Sequence, residues 1–165
     1  MAEIRDATST DADTIRTIYN YYINNTVISF EESPLTIEEM QKRIASVQSA
    51  NLPWLVYIDN QAVTGYAYAS KWHQRSAYRH TVECSVYLKH DIIGNGIGSS
   101  LYTELLKRLQ VLKYHAVIGG IALPNVASVA LHEKFGFEKV AHYKETGYKF
   151  GQWLDVGYWE KIFTD

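Results

Sequence analysis

The chain reads as an α+β fold, with helices packed on a mixed central sheet. Three observations predict it. Two capped helical segments near the N-terminus give way to a run of strands. One strand then enters a helix through a glycine-rich turn. A strand, a helix and two closing strands follow, so hairpin and crossover connections occur in one chain.

Each element has its own signal. After an opening strand, Thr10 to Asp13 fits a capping box, and Ile15, Ile18, Tyr19 and Tyr22 then share a helix face. Thr36 to Glu39 repeats the capping pattern after Pro34, and Ile37, Met40, Ile44 and Val47 form the next stripe. Trp54–Ile58 is a strand, and Asp59-Asn60-Gln61 turns it into a second strand, Ala62–Ser70. Thr81–Leu88 is the strand before the glycine turn, and Leu101, Leu105 and Leu109 mark the helix after it. Ala116–Ile121 is a short apolar strand. Asn125–Phe135 is a helix ended by Gly136, and Phe137–Tyr143 and Trp153–Phe163 are the closing strands. No repeat, linker or low-complexity segment divides residues 1–165, so one domain is expected.

Composition narrows the function classes. A net charge of −2 gives no reason to expect nucleic-acid or anionic-membrane binding. The single cysteine, Cys84, leaves no internal disulfide possible. Residues 1–6 carry no apolar signal core and no apolar run is long enough to span a bilayer, so a cytoplasmic protein is expected. The 13 tyrosines suit strands and half-wet pockets, where a ring with a polar tip serves both sides.

Ile92-Ile93-Gly94-Asn95-Gly96-Ile97-Gly98-Ser99-Ser100 carries the clearest chemistry. A glycine turn opening a helix aims backbone N–H groups and a helix dipole at an anion, most simply a cofactor phosphate. A Walker loop would need Gly-Lys-Ser/Thr, but Ser99 follows Gly98. A Rossmann turn would need G-x-G-x-x-G, and the spacing here is G-x-G-x-G. A tight turn that only meets backbone demands is the plain alternative.

A further reading is the pyrophosphate loop of the GNAT acetyltransferases, (Arg/Gln)-x-x-Gly-x-(Gly/Ala), which Gly96-Ile97-Gly98 resembles. The downstream tract from Asn125 through Ala127-Ser128, Leu131-His132 and Phe135-Gly136-Phe137 is similar to that family's second signature. Resemblance extends to the phosphinothricin / methionine sulfoximine N-acetyltransferase branch through Ile18-Tyr19-Asn20, Ser29-Phe30-Glu31, Ala77–Glu83, Gly98–Tyr102, Leu123–Asn125, Leu131–Glu133 and Gly147–Gly157. It covers nearly the whole chain. Ile93 replaces the Arg/Gln that opens the loop signature, so the loop is left to hold phosphates mainly with backbone N–H groups from Gly94, Asn95, Gly96, Ile97, Gly98 and Ser99.

The resemblance implies a GNAT fold, acetyl-CoA as acetyl donor, no metal, an amino-acid-like amine substrate and a homodimer built in part by the aromatic C-terminal strands. Transfer to an amine needs a base for the amine proton, a stabilised thiolate and a donor to the thioester oxygen. Glu83 is the candidate base. Strand alternation sets Glu83, Ser85 and Tyr87 on one face, and Val82, Cys84, Val86 and Leu88 on the other. His132 is the second acid/base candidate, since Asn125, Ser128 and His132 share a helix face. An ordinary sheet glutamate and a satisfied core histidine are the bland readings of the same residues. Val86, Tyr87 and Leu88 are expected to pair with the pantetheine arm, Asn125 to contact it, and Lys134 to reach a phosphate. For the substrate, Arg75 is the candidate carboxylate partner, with Ser76 and Ala77 beside it and Phe30, Trp72 and Tyr78 as walls. His73 stands where relatives often carry Arg. Other readings on the same fold are a polyamine, aminoglycoside or protein N-terminus as acceptor, or a non-catalytic acyl-CoA-binding module.

Overall fold

The computed structural model describes residues 1–164. Its elements run β1 (Glu3–Asp6), α1 (Ala12–Asn25), α2 (Ile37–Ser49), β2 (Trp54–Asp59), β3 (Ala62–Lys71), β4 (Thr81–Leu88), α3 (Ile97–Val111), β5 (Ala116–Leu123), α4 (Val126–Lys134), β6 (Glu138–Lys149) and β7 (Gln152–Ile162). The strands form one seven-stranded sheet in the order β1-β2-β3-β4-β5-β7-β6. Only β4 and β5 pair in parallel; every other neighbouring pair is antiparallel. The α+β mixed sheet is therefore as the sequence predicts.

Alternation along the strands decides what each face meets. Tyr66 and Tyr87 pair across β3 and β4 and pack with Tyr22 of α1, so α1 and α2 cover this face. Ala67, Ala69, Val82 and Cys84 bury the opposite face under α3, whose Leu101, Leu105 and Leu109 are fully buried. That leucine spacing is one stripe of a helix, and its burial is the main source of its stability.

Several boundaries differ from expectation. The first capping box closes at Thr8–Asp11, ahead of Thr10–Asp13. Asp11 accepts from the Thr8 backbone N–H at 2.8 Å and is held by Arg5 at 2.8 and 3.0 Å, so a 3-10 turn, Ser9–Asp11, precedes α1. Ile37 stays exposed at the first turn of α2, while Met40, Ile44 and Val47 are buried. β6 runs on to Lys149, past Tyr143, because Phe150 and Gly151 at φ 51° and 74° make a tight hairpin into β7. Gly136 ends α4 in a Schellman motif: its N–H donates to Glu133 O at 3.0 Å and Phe137 N–H to His132 O at 3.1 Å.

One feature of the sheet positions the site. β4 pairs with β5 only from Thr81↔Ala116 to Glu83↔Ile118, yet it stays paired with β3 as far as Leu88. Beyond Glu83 the two parallel strands part, and the edge of β4 toward β5 is left open.

Candidate active site

The opening between β4 and β5 is a cavity of about 350 Å³ that continues to the start of α3. Its walls include Ser85, Val86, Tyr87 and Leu88 on one strand, Gly120–Ala122 on the other, and Gly94, Gly96, Ile97, Gly98 and Ser99 at the end. The helix start is built for an anion. Gly96 caps α3 at φ 76° and has no side chain to accept from the first turn. The N–H of Ser100 donates back to Gly96 O at 3.0 Å, so it is the N–H groups of Ile97, Gly98 and Ser99 that lack a helical partner. An added Cβ at Gly94 or Gly96 would meet nothing within 4 Å, so these glycines answer a left-handed backbone rather than crowding. Lys134 donates from Nζ to Ser99 Oγ at 2.9 Å, which brings a cation to the same helix end. Asn95 bonds Ile92 O at 3.3 Å, and Ile93 is exposed and lines the cavity.

Along β4, the Leu88 carbonyl accepts from the Tyr22 hydroxyl, so this expected pairing group is already in use. Ser85, Val86 and Tyr87 form the open stretch upstream. Asn125 lines the cavity and caps α4, its Oδ1 accepting from Ser128 N–H at 3.1 Å. The helix face predicted from its spacing is real: His132 donates from Nδ1 to Ser128 O at 2.7 Å.

That bond fixes the rest of a buried chain. A carbonyl only accepts, so Nδ1 carries a proton, and in the neutral ring Nε2 is then the acceptor. Tyr102 then donates its hydroxyl to Nε2 at 3.0 Å, and Cys84 donates its thiol to Tyr102 Oη at 3.3 Å. His132 is 3 % exposed, and burial holds its pKa below the usual histidine range, with the Ser128 bond opposing. Burial thus favours the neutral imidazole, with both nitrogens hydrogen-bonded.

Glu83 stands on the other face of the sheet. It lines a second cavity of about 720 Å³ with Tyr19, Ile28, Ser29, Phe30 and Glu31 on one side and Tyr143, Thr146, Val156 and Tyr158 on the other. The two cavities share Ile28, Tyr87, Gly120 and Ala122, so they meet at the parting of β4 and β5. Burial raises the Glu83 pKa above the ordinary glutamate range, and the charge of His73 opposes that rise. Gly119 and Gly120 let both candidates approach β5. An added Cβ on Gly119 would strike the His132 ring, and one on Gly120 would lie 2.9 Å from the Tyr158 ring and 3.4 Å from Glu83 Oε2.

Of the expected substrate residues, Phe30 lines this second cavity. Trp72 packs edge-on against Tyr158, with centroids 5.6 Å apart. Arg75, Ser76, Ala77 and Tyr78 lie on the exposed loop between β3 and β4 and are not among the lining residues. Sequence reasoning missed the wall from β6 and β7, above all Tyr158 beside Glu83. The Gly119-Gly120 pair inside a strand was the available signal, because glycine there marks a close approach. Among the described residues no cluster of His, Cys, Asp or Glu has metal-binding geometry, and no helix is long and apolar enough to cross a membrane.

Residues 4–157 match the family described as the acetyltransferase (GNAT) domain. The chain belongs to the GNAT acetyltransferases. It is thus an N-acetyltransferase that takes its acetyl group from acetyl-CoA. A phosphinothricin N-acetyltransferase from Streptomyces viridochromogenes is 40% identical over 161 residues, which cover 98% of this chain and 87% of that one. An L-methionine sulfoximine/L-methionine sulfone acetyltransferase from Pseudomonas paraeruginosa is 35% identical over 156 residues, covering 94% and 91%. A crystal structure of a GNAT phosphinothricin acetyltransferase from Sinorhizobium meliloti in complex with acetyl-CoA superposes with a TM-score of 0.95 at 38% identity, covering 98% and 88%.

Replacing Tyr102 with Phe in this acetyltransferase would orphan both His132 Nε2 and the Cys84 thiol. The expected loss of stability is about 1–3 kcal/mol, measured by urea denaturation. An unchanged midpoint would show that the chain of bonds does not contribute.

Proposed function

We propose that the enzyme acetylates the α-amine of a small amino acid with an oxygen-bearing tetrahedral head, of the phosphinothricin, methionine sulfoximine or methionine sulfone type, with Glu83 as the base. The observation that carries this is a half-buried carboxylate that lines the second cavity beside Gly120, where the two cavities meet. The first cavity fits acetyl-CoA: uncapped N–H groups and Lys134 at one end, an open strand edge along the middle, and Asn125 beside it. Bound there, acetyl-CoA supplies a thioester carbon open to an amine. The second cavity takes the amine. Glu83 accepts the ammonium proton, and a C–N bond forms as the C–S bond breaks. The thiolate leaves with the proton balance restored from Glu83 or solvent. Burial matters because a base with a raised pKa holds the proton more firmly near neutral pH.

His132 is placed as a positioning residue in this scheme. Its Nε2 holds the Tyr102 hydroxyl against the cofactor cavity while Nδ1 is tied to Ser128 O, and the sheet separates it from the Glu83 cavity. Phe30 and Tyr158 serve as walls. Arg75 is assigned the substrate carboxylate from its loop, with Ser76, Ala77 and Tyr78 shaping the approach and Trp72 packing behind Tyr158. A polyamine acceptor is the second reading. It is favoured by the two carboxylates, Glu31 and Glu83, and the lack of a cation among the described lining residues. It is opposed by Arg43, which pairs with Glu31 at 2.6 and 2.8 Å and leaves Glu83 as the only unpaired acid among the described lining residues. A homodimer is part of the proposal. The β6–β7 hairpin exposes Tyr148, Phe150 and Trp153, with the Tyr148 and Trp153 rings 4.7 Å apart and tilted by 53° at one edge of the sheet.

Thiol release from acetyl-CoA should be seen with methionine sulfone, methionine sulfoximine or phosphinothricin, and not with spermidine; the reverse pattern would reject the substrate class. Glu83→Gln should lower kcat about 100-fold or more, and more than His132→Gln does. An equal or larger loss in His132→Gln would return the proton transfer to the histidine. Because the base works deprotonated, wild-type kcat/KM should rise with pH through a limb above the ordinary glutamate range. His73→Asn should move that limb upward, since it removes the opposing charge. Trp153→Glu should shift the sedimentation coefficient from dimer to monomer; an unchanged value would place the interface elsewhere.

A further inference from the structure

We propose that Lys149 is a positioning residue for the amine subsite, a strap that ties the loop between α1 and α2 to β6 and so fixes the gap in which the amine must sit. The inference rests on reading the Glu83 cavity as the amine site. Lys149 is 1 % exposed, and its Nζ donates to the Ser29 carbonyl at 2.6 Å. An ammonium without an ion-pair partner is costly to bury, and this one is given a backbone carbonyl and the face of Phe150, 5.1 Å from its centroid. Apolar packing alone would have filled the space more cheaply.

The geometry shows what the ammonium secures. Ser29 and Phe30 belong to the loop that forms one wall of the cavity, and Tyr143 and Thr146 on β6 belong to the other. Every other polar tie of this loop runs back to α1 or α2. Tyr19 bonds Ser29 Oγ at 2.9 Å and also bonds Glu31, Arg43 holds Glu31, and Asn20 bonds Leu35 N and O at 2.9 and 3.1 Å. Among the described residues, Lys149 alone makes a polar link from the loop to the opposite wall. Beside it the Phe30 ring lies on Gly147, where an added Cβ would come within 2.5 Å of the ring. The strap therefore presses Phe30 onto β6 at a site that only glycine leaves flat. The cofactor cavity draws on this loop only at Ile28.

Lys149→Met keeps the stem and removes the donor. With methionine sulfone as the amine, its KM should rise about five- to tenfold while the KM for acetyl-CoA stays within about twofold. The melting temperature should change little, because removing a buried charge offsets the Ser29 carbonyl left without its donor. Gly147→Ala, which crowds Phe30 without touching Lys149, should raise the amine KM in the same way. Hydrogen exchange across residues 27–32 should quicken in Lys149→Met. An unchanged amine KM, or both KM values rising with a lower melting temperature, would overturn the proposal. If the wild-type enzyme ignores methionine sulfone, the substrate reading has failed, and exchange alone then decides the strap: unchanged protection of residues 27–32 rejects it.

Discussion

The site depends on a hydrogen-bond ladder that stops. β4 and β5 pair in parallel through Glu83↔Ile118 and no further, while each stays paired with its outer neighbour, β4 with β3 to Leu88 and β5 with β7 to Leu123. A strand edge left unpaired inside a protein must find other partners, because buried N–H and C=O groups are expensive to leave unmet. The Tyr22 hydroxyl takes one of these carbonyls, at Leu88. The remaining stretch is what an extended, amide-bearing arm can pair with, and the uncapped start of α3 waits at its end. The fold thus brings two kinds of backbone group, an open strand edge and an uncapped helix start, to one cavity.

The same parting sets the chemistry. Adjacent residues of β5 face opposite sides of the sheet, so Gly119 opens room for His132 and Gly120 opens room for Glu83 and Tyr158. The two titratable candidates therefore come close to one strand while belonging to different cavities. Their environments separate their roles. His132 is locked by Ser128 and Tyr102 into one neutral tautomer. Among the described residues Glu83 has no such partner and is left with burial, opposed by His73. A group without partners is the one free to exchange a proton.

The lining of the first cavity was largely legible in the sequence. The Gly94–Ser99 turn, the Asn125–Ser128–His132 face and the Glu83 strand are local patterns, each set by a backbone conformation or a helical or strand period. The second cavity was not. Phe30 lines it, but Tyr19, Glu31, Tyr143, Thr146 and Tyr158 reach it from the two ends of the chain. Arg75 to Tyr78 looked like the natural wall, being basic and aromatic, and they stand on an exposed loop outside it. Lys149 is the sharpest case, since nothing in Tyr148-Lys149-Phe150 distinguishes a buried strap from a solvated lysine.

By itself the sequence determined which residues carry a left-handed turn, which stripe each helix buries, which face of β4 holds Glu83, and the family to which these patterns belong. The tertiary structure decided where β4 and β5 part, which side of the sheet each candidate occupies, and which tautomer His132 adopts. It also decided what fills the gap opposite Phe30. The reason is physical. Propensity, capping and periodicity act over a few residues and are written in the local order of side chains. Desolvation, hydrogen-bond direction and cavity shape depend on groups far apart along the chain, and they exist only once the sheet has brought those groups together.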